Sequence, residues 1–288
     1  MMKRSLGLCV WLVTVACLAG CIEKGTKKSG EHSETQPTSS AGAKAPLKAV
    51  ADPTARVGVI EGTVTVEGDP PLVIDAAAQK IPADCEVARV MYPPLFREGP
   101  GRTLADVFVG ATGYNGVSQA KTTPVSIKAK GCAFPSRTYG LQSGQHLEIK
   151  SGDQRSYVPS LFGAKTGATL VAVPQGEAIS VYHRGPGNYV LVNEMQIFAQ
   201  AAILVVDYPT FDVTGMDGKF RITGVPEGAC DVSAYLPSAK LSVSQRIEVR
   251  ASATTSVNLK IAFNADAFKS SRVAPKSAAG VASTTPAQ

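Results

Sequence analysis

Short runs in which apolar and polar residues alternate with period two, each closed by a turn signal, constrain this chain more than any other feature. Val64 and Val66 alternate with Thr63 and Thr65, and Phe220 and Ile222 with Lys219 and Arg221. Val257, Leu259 and Ile261 alternate with Ser256, Asn258 and Lys260, and Val107 and Val109 flank Phe108. Such runs give a strand one apolar face. Between them stand Gly68-Asp69-Pro70-Pro71, Gly99-Pro100-Gly101, Gly185-Pro186-Gly187, Asp217-Gly218 and Pro226-Glu227-Gly228, which reverse the chain. The pattern predicts an all-β fold of antiparallel sandwiches. Helix is expected only in short patches near Ile74–Ile81 and Tyr157–Gly163. At 288 residues, 44% of them hydrophobic, the chain can fill the cores that this fold requires. No run of about 20 apolar residues follows the N-terminal region, which excludes a multi-span helical membrane protein.

The N-terminus reads as an address. Met1-Met2-Lys3-Arg4 is a basic start, and Leu6 to Leu18 is an apolar stretch too short to span a bilayer, as in a secretory signal. Leu18-Ala19-Gly20-Cys21 resembles the lipobox of bacterial lipoproteins. There the small residues admit the peptidase and the thiol accepts the lipid. Cys21 is therefore the expected lipidation site, with several acyl chains giving stable anchoring where one would not. Ile22 follows the cysteine in place of an Asp retention signal, so the expected location is the outer membrane, facing the periplasm. Residues 21–55 are rich in Lys, Glu, Ser, Thr, Gly, Pro and Ala without periodic apolar residues, the composition of a disordered tether. Residues 264–288 read the same way.

The net charge of +6 belongs to these flanks, since residues 58–262 carry 18 basic and 18 acidic side chains. Nucleic-acid binding needs a basic face on the fold itself, and no such stripe is present. Of the cysteines beyond the lipobox, three thiols cannot all pair within the chain. Cys85 lies in a loop and Cys132 is expected to open a strand after a Lys-Gly turn, which makes them the preferred disulfide in an oxidising compartment. Cys230, in the alternation Cys230, Val232, Ala234, reads as a small buried apolar residue.

From about Val57 to Ile261 the chain carries further motifs. It opens with Gly58-Val59-Ile60-Glu61-Gly62-Thr63-Val64 and continues to Asp69-Pro70-Pro71 and Gly131-Cys132-Ala133-Phe134-Pro135. The most specific stretch is Asp207-Tyr208-Pro209-Thr210-Phe211-Asp212-Val213-Thr214, then Asp217-Gly218-Lys219-Phe220 and Val225-Pro226-Glu227-Gly228. These resemble a family of periplasmic cupredoxin-like proteins, related to plastocyanin and associated with methylamine utilisation. The resemblance implies a cupredoxin-like Greek-key sandwich over 56–200. It also implies a small transthyretin-like, carboxypeptidase-regulatory-like sandwich over 201–263.

The family's copper site needs two imidazoles, a thiolate and a weak thioether. Carried over without gaps, the first His position is Tyr157, the Cys position Asn193, the second His position Gln196 and the Met position Ala199. All four ligands are replaced, so the resemblance implies a degenerate cupredoxin with no copper and no other cofactor. His32, His146 and His183 are the histidines. His183 with Met195 on neighbouring strands would make a poor metal site, and His146 with Glu148 reads as a solvated pair. Asp207 and Asp212 read as strand-end carboxylates, not a catalytic pair. Nucleophile-elbow, P-loop and zincin motifs are missing, and no enzyme is expected. The expectation is a lipid-anchored envelope protein that holds or recruits a protein partner. Two other readings compete: a copper-binding electron carrier with non-standard ligands, and a carbohydrate- or peptidoglycan-binding module. The second is weakened because the lone Trp11 lies in the signal.

Overall fold

The structure, a computed structural model, describes residues 56–74, 80–164 and 169–273. The expected signal (1–20), the lipidation site Cys21, the tether to residue 55 and the end of the tail lie outside the described residues. In chain order the elements are β1 (Val57–Gly68), helix α1 (Glu86–Met91), a 3-10 turn (Pro100–Arg102), β2 (Phe108–Thr112), β3 (Val125–Ala129), β4 (Thr138–Gln142), β5 (Leu147–Ser151) and β6 (Pro159–Phe162). Then follow β7 (Ile179–Val181), β8 (Gly187–Asn193), β9 (Gln196–Val206), β10 (Phe211–Val213), β11 (Lys219–Pro226), β12 (Gly228–Leu236), β13 (Leu241–Val249), β14 (Thr254–Ser256), β15 (Leu259–Phe263) and helix α2 (Ala265–Val273). The fold is all-β, with sheets stacked face to face.

One sandwich is built around β1. Its N-terminal half runs parallel to β14 and its C-terminal half parallel to β15, while β11 pairs antiparallel along its other edge. The change of partner occurs at Gly62, where an added Cβ would lie 1.7 Å from the Val257 carbonyl oxygen. Facing this sheet is a second one in the order β10-β2-β12-β13. The alternation now has its explanation: Ile60, Val64, Val66, Phe220, Ile222, Cys230, Val232, Leu259 and Ile261 fill one core between the sheets. Full burial of a side chain of this size contributes about 1.5–3 kcal/mol.

The other sandwich stacks β3-β5-β7 on β4-β9-β8-β6. Its core holds Ile127, Phe134, Leu141, Leu147, Ile149, Leu161, Leu191 and Ile203, together with Ala88 and Met91 of α1. The Cys85–Cys132 disulfide ties the residue preceding α1 to this sandwich across 47 positions. The pairing is the expected one. Cys132 does not open a strand, however: it occupies the turn between Lys130 and Ala133 at φ 62°. Cys230 is a free, buried thiol.

The two sandwiches do not follow one another along the chain. Residue 200, the expected division, falls inside β9, and both β1 and β2 belong with the strands that follow residue 207. The sandwich of β3–β9 is thus inserted between β2 and β10. The physical reason is that β1 and β2 bury their apolar faces against β11, β12 and β15, a pairing that local alternation cannot reveal. The Val107-Phe108-Val109 run is buried on both faces. Val107 and Val109 point into their own core, while Phe108 stacks on Phe211 at 5.3 Å and packs with Leu204 of the inserted sandwich.

Two other expectations change. The segment Tyr157–Gly163 is not helical; it contains β6, paired antiparallel with β8. The patch near Ile74–Ile81 falls largely on residues 75–79, outside the described residues, and Ile74 and Ile81 are not helical. The tail expected from 264 onward begins instead with α2. Asn264 Oδ1 caps it by accepting the Ala267 N–H at 2.7 Å, and Asp69 Oδ2 accepts the Ala265 N–H at 2.8 Å. Phe268 anchors the helix against the β1 core.

Candidate functional site

Antiparallel pairing of β6 with β8 sets Pro159 opposite Asn193, and the β8–β9 hairpin then turns through Glu194 and Met195 into Gln196. This register brings the segment after Tyr157 against the Asn193–Gln196 hairpin. Asn193 is fully buried. Its Oδ1 accepts the Val158 N–H at 2.9 Å, and its Nδ2 donates to Gln196 Oε1. The Glu194 N–H donates to the Val158 carbonyl at 2.8 Å. Ala199 and Tyr157 are both buried in the core of the inserted sandwich.

Tyr157 bonds away from the hairpin. Its hydroxyl donates to Asp153 Oδ2 at 2.9 Å and accepts the Cys132 N–H at 3.3 Å. Burial, and then the Asp153 carboxylate, push the phenol well above its ordinary range, so it stays protonated. Asp153 also accepts the N–H of Gly131 at 2.6 Å and of Arg155 at 3.0 Å. Burial works against the charged form, but these two N–H groups and the Tyr157 hydroxyl win and hold the carboxyl below its ordinary value. Arg155 in turn pairs with Asp84 at 2.8 Å, next to Cys85.

This donor set does not fit type 1 copper. Two amides, a protonated phenol and a methyl group supply neither the thiolate nor the imidazoles that such a site needs. The amides are moreover committed to Val158 and to each other. Among the described residues no three His, Cys, Asp or Glu side chains gather as a metal site. The remaining candidates are dispersed. His183 follows β7 in one sheet, whereas Met195 is at the hairpin of the other. His146 lies 3.8 Å from Glu148 and stacks on Tyr182 at 4.8 Å. The Asp212 carboxylate accepts the N–H groups of Arg221 and Val213 at 2.7 and 2.9 Å, a backbone role. Burial raises the Cys230 thiol above its ordinary range, which suits an inert core residue.

What the motif did not disclose is the surface that these bonds support. Met195 and Ile197 flank Gln196 at the hairpin and are 59% and 68% exposed. With Phe198, Pro82, Lys80 and the Asp84–Arg155 pair they border an open depression of about 720 Å³. The sequence signal for it was a pair of large apolar residues on either side of Gln196.

No family model matches the chain, and no curated protein matches it. Among solved structures, 33% of this chain is similar to a copper-containing nitrite reductase from Thermus scotoductus SA-01, at 16% identity and a TM-score of 0.24. The match spans 24% of the reductase chain. An amicyanin variant in its reduced state is similar over 33% of this chain and 98% of its own, at 12% identity and a TM-score of 0.26.

Proposed function

We propose that this is a lipid-anchored, cell-envelope β protein with a non-catalytic binding role, in which a cupredoxin-like sandwich has exchanged its copper ligands for a hydrogen-bonded plug and presents the surface above it to a protein partner. Cys21, in its lipobox, would carry the acyl chains at the outer membrane, and the residues after it would tether the sandwiches in the periplasm. The cupredoxin-like reading rests on the motif resemblance and on the meeting of the segment after Tyr157 with Asn193 and Gln196.

The observation that carries the binding role is the β8–β9 hairpin. The Asn193 amide fixes both ends of the turn, so Met195 and Ile197 are displayed on a rigid support. Pre-organised exposed apolar side chains beside a depression lower the ordering cost of association, and apolar anchors with a polar rim are the usual anatomy of a docking surface. The Asp84–Arg155 pair and Lys80 supply such a rim.

The test is site-specific photo-cross-linking of the full chain in intact cells. A cross-linking residue at Ile197 should give a discrete higher-mass product, and one at Ser244, on the polar face of β13, should not. No product at Ile197, or the same products from both positions, would count against the reading.

A further inference from the structure

Where the two sandwiches meet, the chain leaves a cleft of about 480 Å³, walled by the approach to β4 on one side and by β10 and the turn after it on the other. Its apolar lining includes Val125, Phe211, Val213 and Met216. Lys121, from the segment that links β2 to β3, reaches into it. The Lys121 Nζ donates to the Phe211 carbonyl at 2.7 Å and sits 3.7 Å from the centroid of the Phe211 ring. Burial lowers the pKa of this amine, with Asp212 only partly opposing the shift.

The Lys121 side chain is only partly sheltered, and the one hydrogen bond to the Phe211 carbonyl leaves its ammonium with further N–H groups to donate. Among the described residues none makes an ion pair with Lys121. Asp212 also lines the cleft and supplies an opposing charge, but its oxygens accept the backbone N–H groups of Arg221 and Val213 and make no ion pair with Lys121. The deeper wall adds to the imbalance. Asp106 accepts two hydrogen bonds from the Arg97 guanidinium at 2.6 Å and the backbone N–H of Arg137 at 2.8 Å, and its single charge also acts on the Arg137 guanidinium. The cleft therefore combines a half-sheltered cation that has N–H groups to spare, a surplus of positive charge behind it and an apolar floor. Junctions between domains are where small-molecule sites concentrate, and clefts of a few hundred Å³ suit small ligands.

We propose that this cleft binds a small organic carboxylate, with its charged end on the Lys121 ammonium and its apolar body against Phe211, Val213 and Met216. The ring of Phe211 then serves twice, steadying the cation and contacting the ligand. The site is separate from the β8–β9 hairpin and does not depend on the role proposed for it.

Equilibrium dialysis of radiolabelled benzoate against the full chain tests this. Saturable binding of one equivalent is expected, with unlabelled benzyl alcohol a poor competitor because it lacks the charge. Lys121→Gln should weaken benzoate binding by about tenfold or more, the effect of losing one charge-assisted hydrogen bond. Absence of saturable binding to the wild-type chain would overturn the proposal. So would displacement by benzyl alcohol as effective as by benzoate, a comparison that needs no variant. Undiminished binding in a folded Lys121→Gln chain would overturn it as well.

Discussion

Asp153 shows how much of a loop a single side chain can organise. Its two oxygens collect the Gly131 and Arg155 N–H groups and the Tyr157 hydroxyl, which fastens the Cys132 turn to the segment before β6. Because these bonds favour the carboxylate, its folded pKa lies below the ordinary 3.8. The unfolded chain therefore takes up the proton first on acidification. The stabilisation is complete above about pH 5 and is lost as pH falls through the lowered folded value. Thermal melts of wild type and Asp153→Asn should differ clearly at pH 7 and converge towards pH 3. A gap that widens on the acid side would reverse the assignment. At this scale the sequence pointed to positions wherever a motif could be counted from: Asn193 and Gln196 lie back from Asp207, and Tyr157 lies forward from Ser151-Gly152-Asp153. Ile197 and Lys121 were not legible, since nothing in their neighbours announces an exposed anchor or an ammonium in a cleft. Both properties arise only when distant strands meet.

Among the elements, β1 depends on one residue for its change of partner. At Gly62 the Val257 carbonyl comes so close that any side chain must displace backbone, and the Val257 N–H donates to the Glu61 carbonyl at 2.9 Å in the same seam. Gly62→Ala should cost about 3 kcal/mol, read from urea unfolding. A loss within about 0.5 kcal/mol, the range of ordinary surface changes, would mean that the seam gives way easily. The strands with strict alternation, such as β11 and β15, were legible because one face is wet and the other dry. The segment before and within β6 was not, because Tyr157 and Leu161 both point inward at a spacing of four, which fits a helix turn as well as two steps of a strand. Helix α2 was missed for the opposite reason: among its described side chains Phe268 is the large apolar anchor, too little for a periodic pattern.

Across the whole molecule, the insertion of one sandwich into the other places the covalent connections and the polar clasp on the same seam. Asp106, 3% exposed at φ 64°, stands just before β2 and accepts hydrogen bonds from Arg97, Ser136 and Arg137, while the Arg137 guanidinium donates to the carbonyls of Pro94 and Leu95. Asp106→Asn leaves these cations without their counter-charge and should destabilise the protein by about 3–5 kcal/mol, as breaking a buried ion pair does. Differential scanning calorimetry would register it, and an unchanged transition would show that the clasp is dispensable. The interleaved order was invisible in the sequence because both sandwiches share one strand vocabulary. Pairing over more than a hundred positions leaves no local trace. The motif resemblance assigns the four ligand positions to Tyr157, Asn193, Gln196 and Ala199, and the proposal of a copper-free role rests on the chemistry of those residues. Titrating the full chain with Cu(II) while recording the visible spectrum addresses that point without intermediaries. With amides, a phenol and a methyl group at the four positions, no intense thiolate-to-copper charge-transfer band should develop. A band that grows to a stoichiometric end point at one copper per chain would contradict the reading.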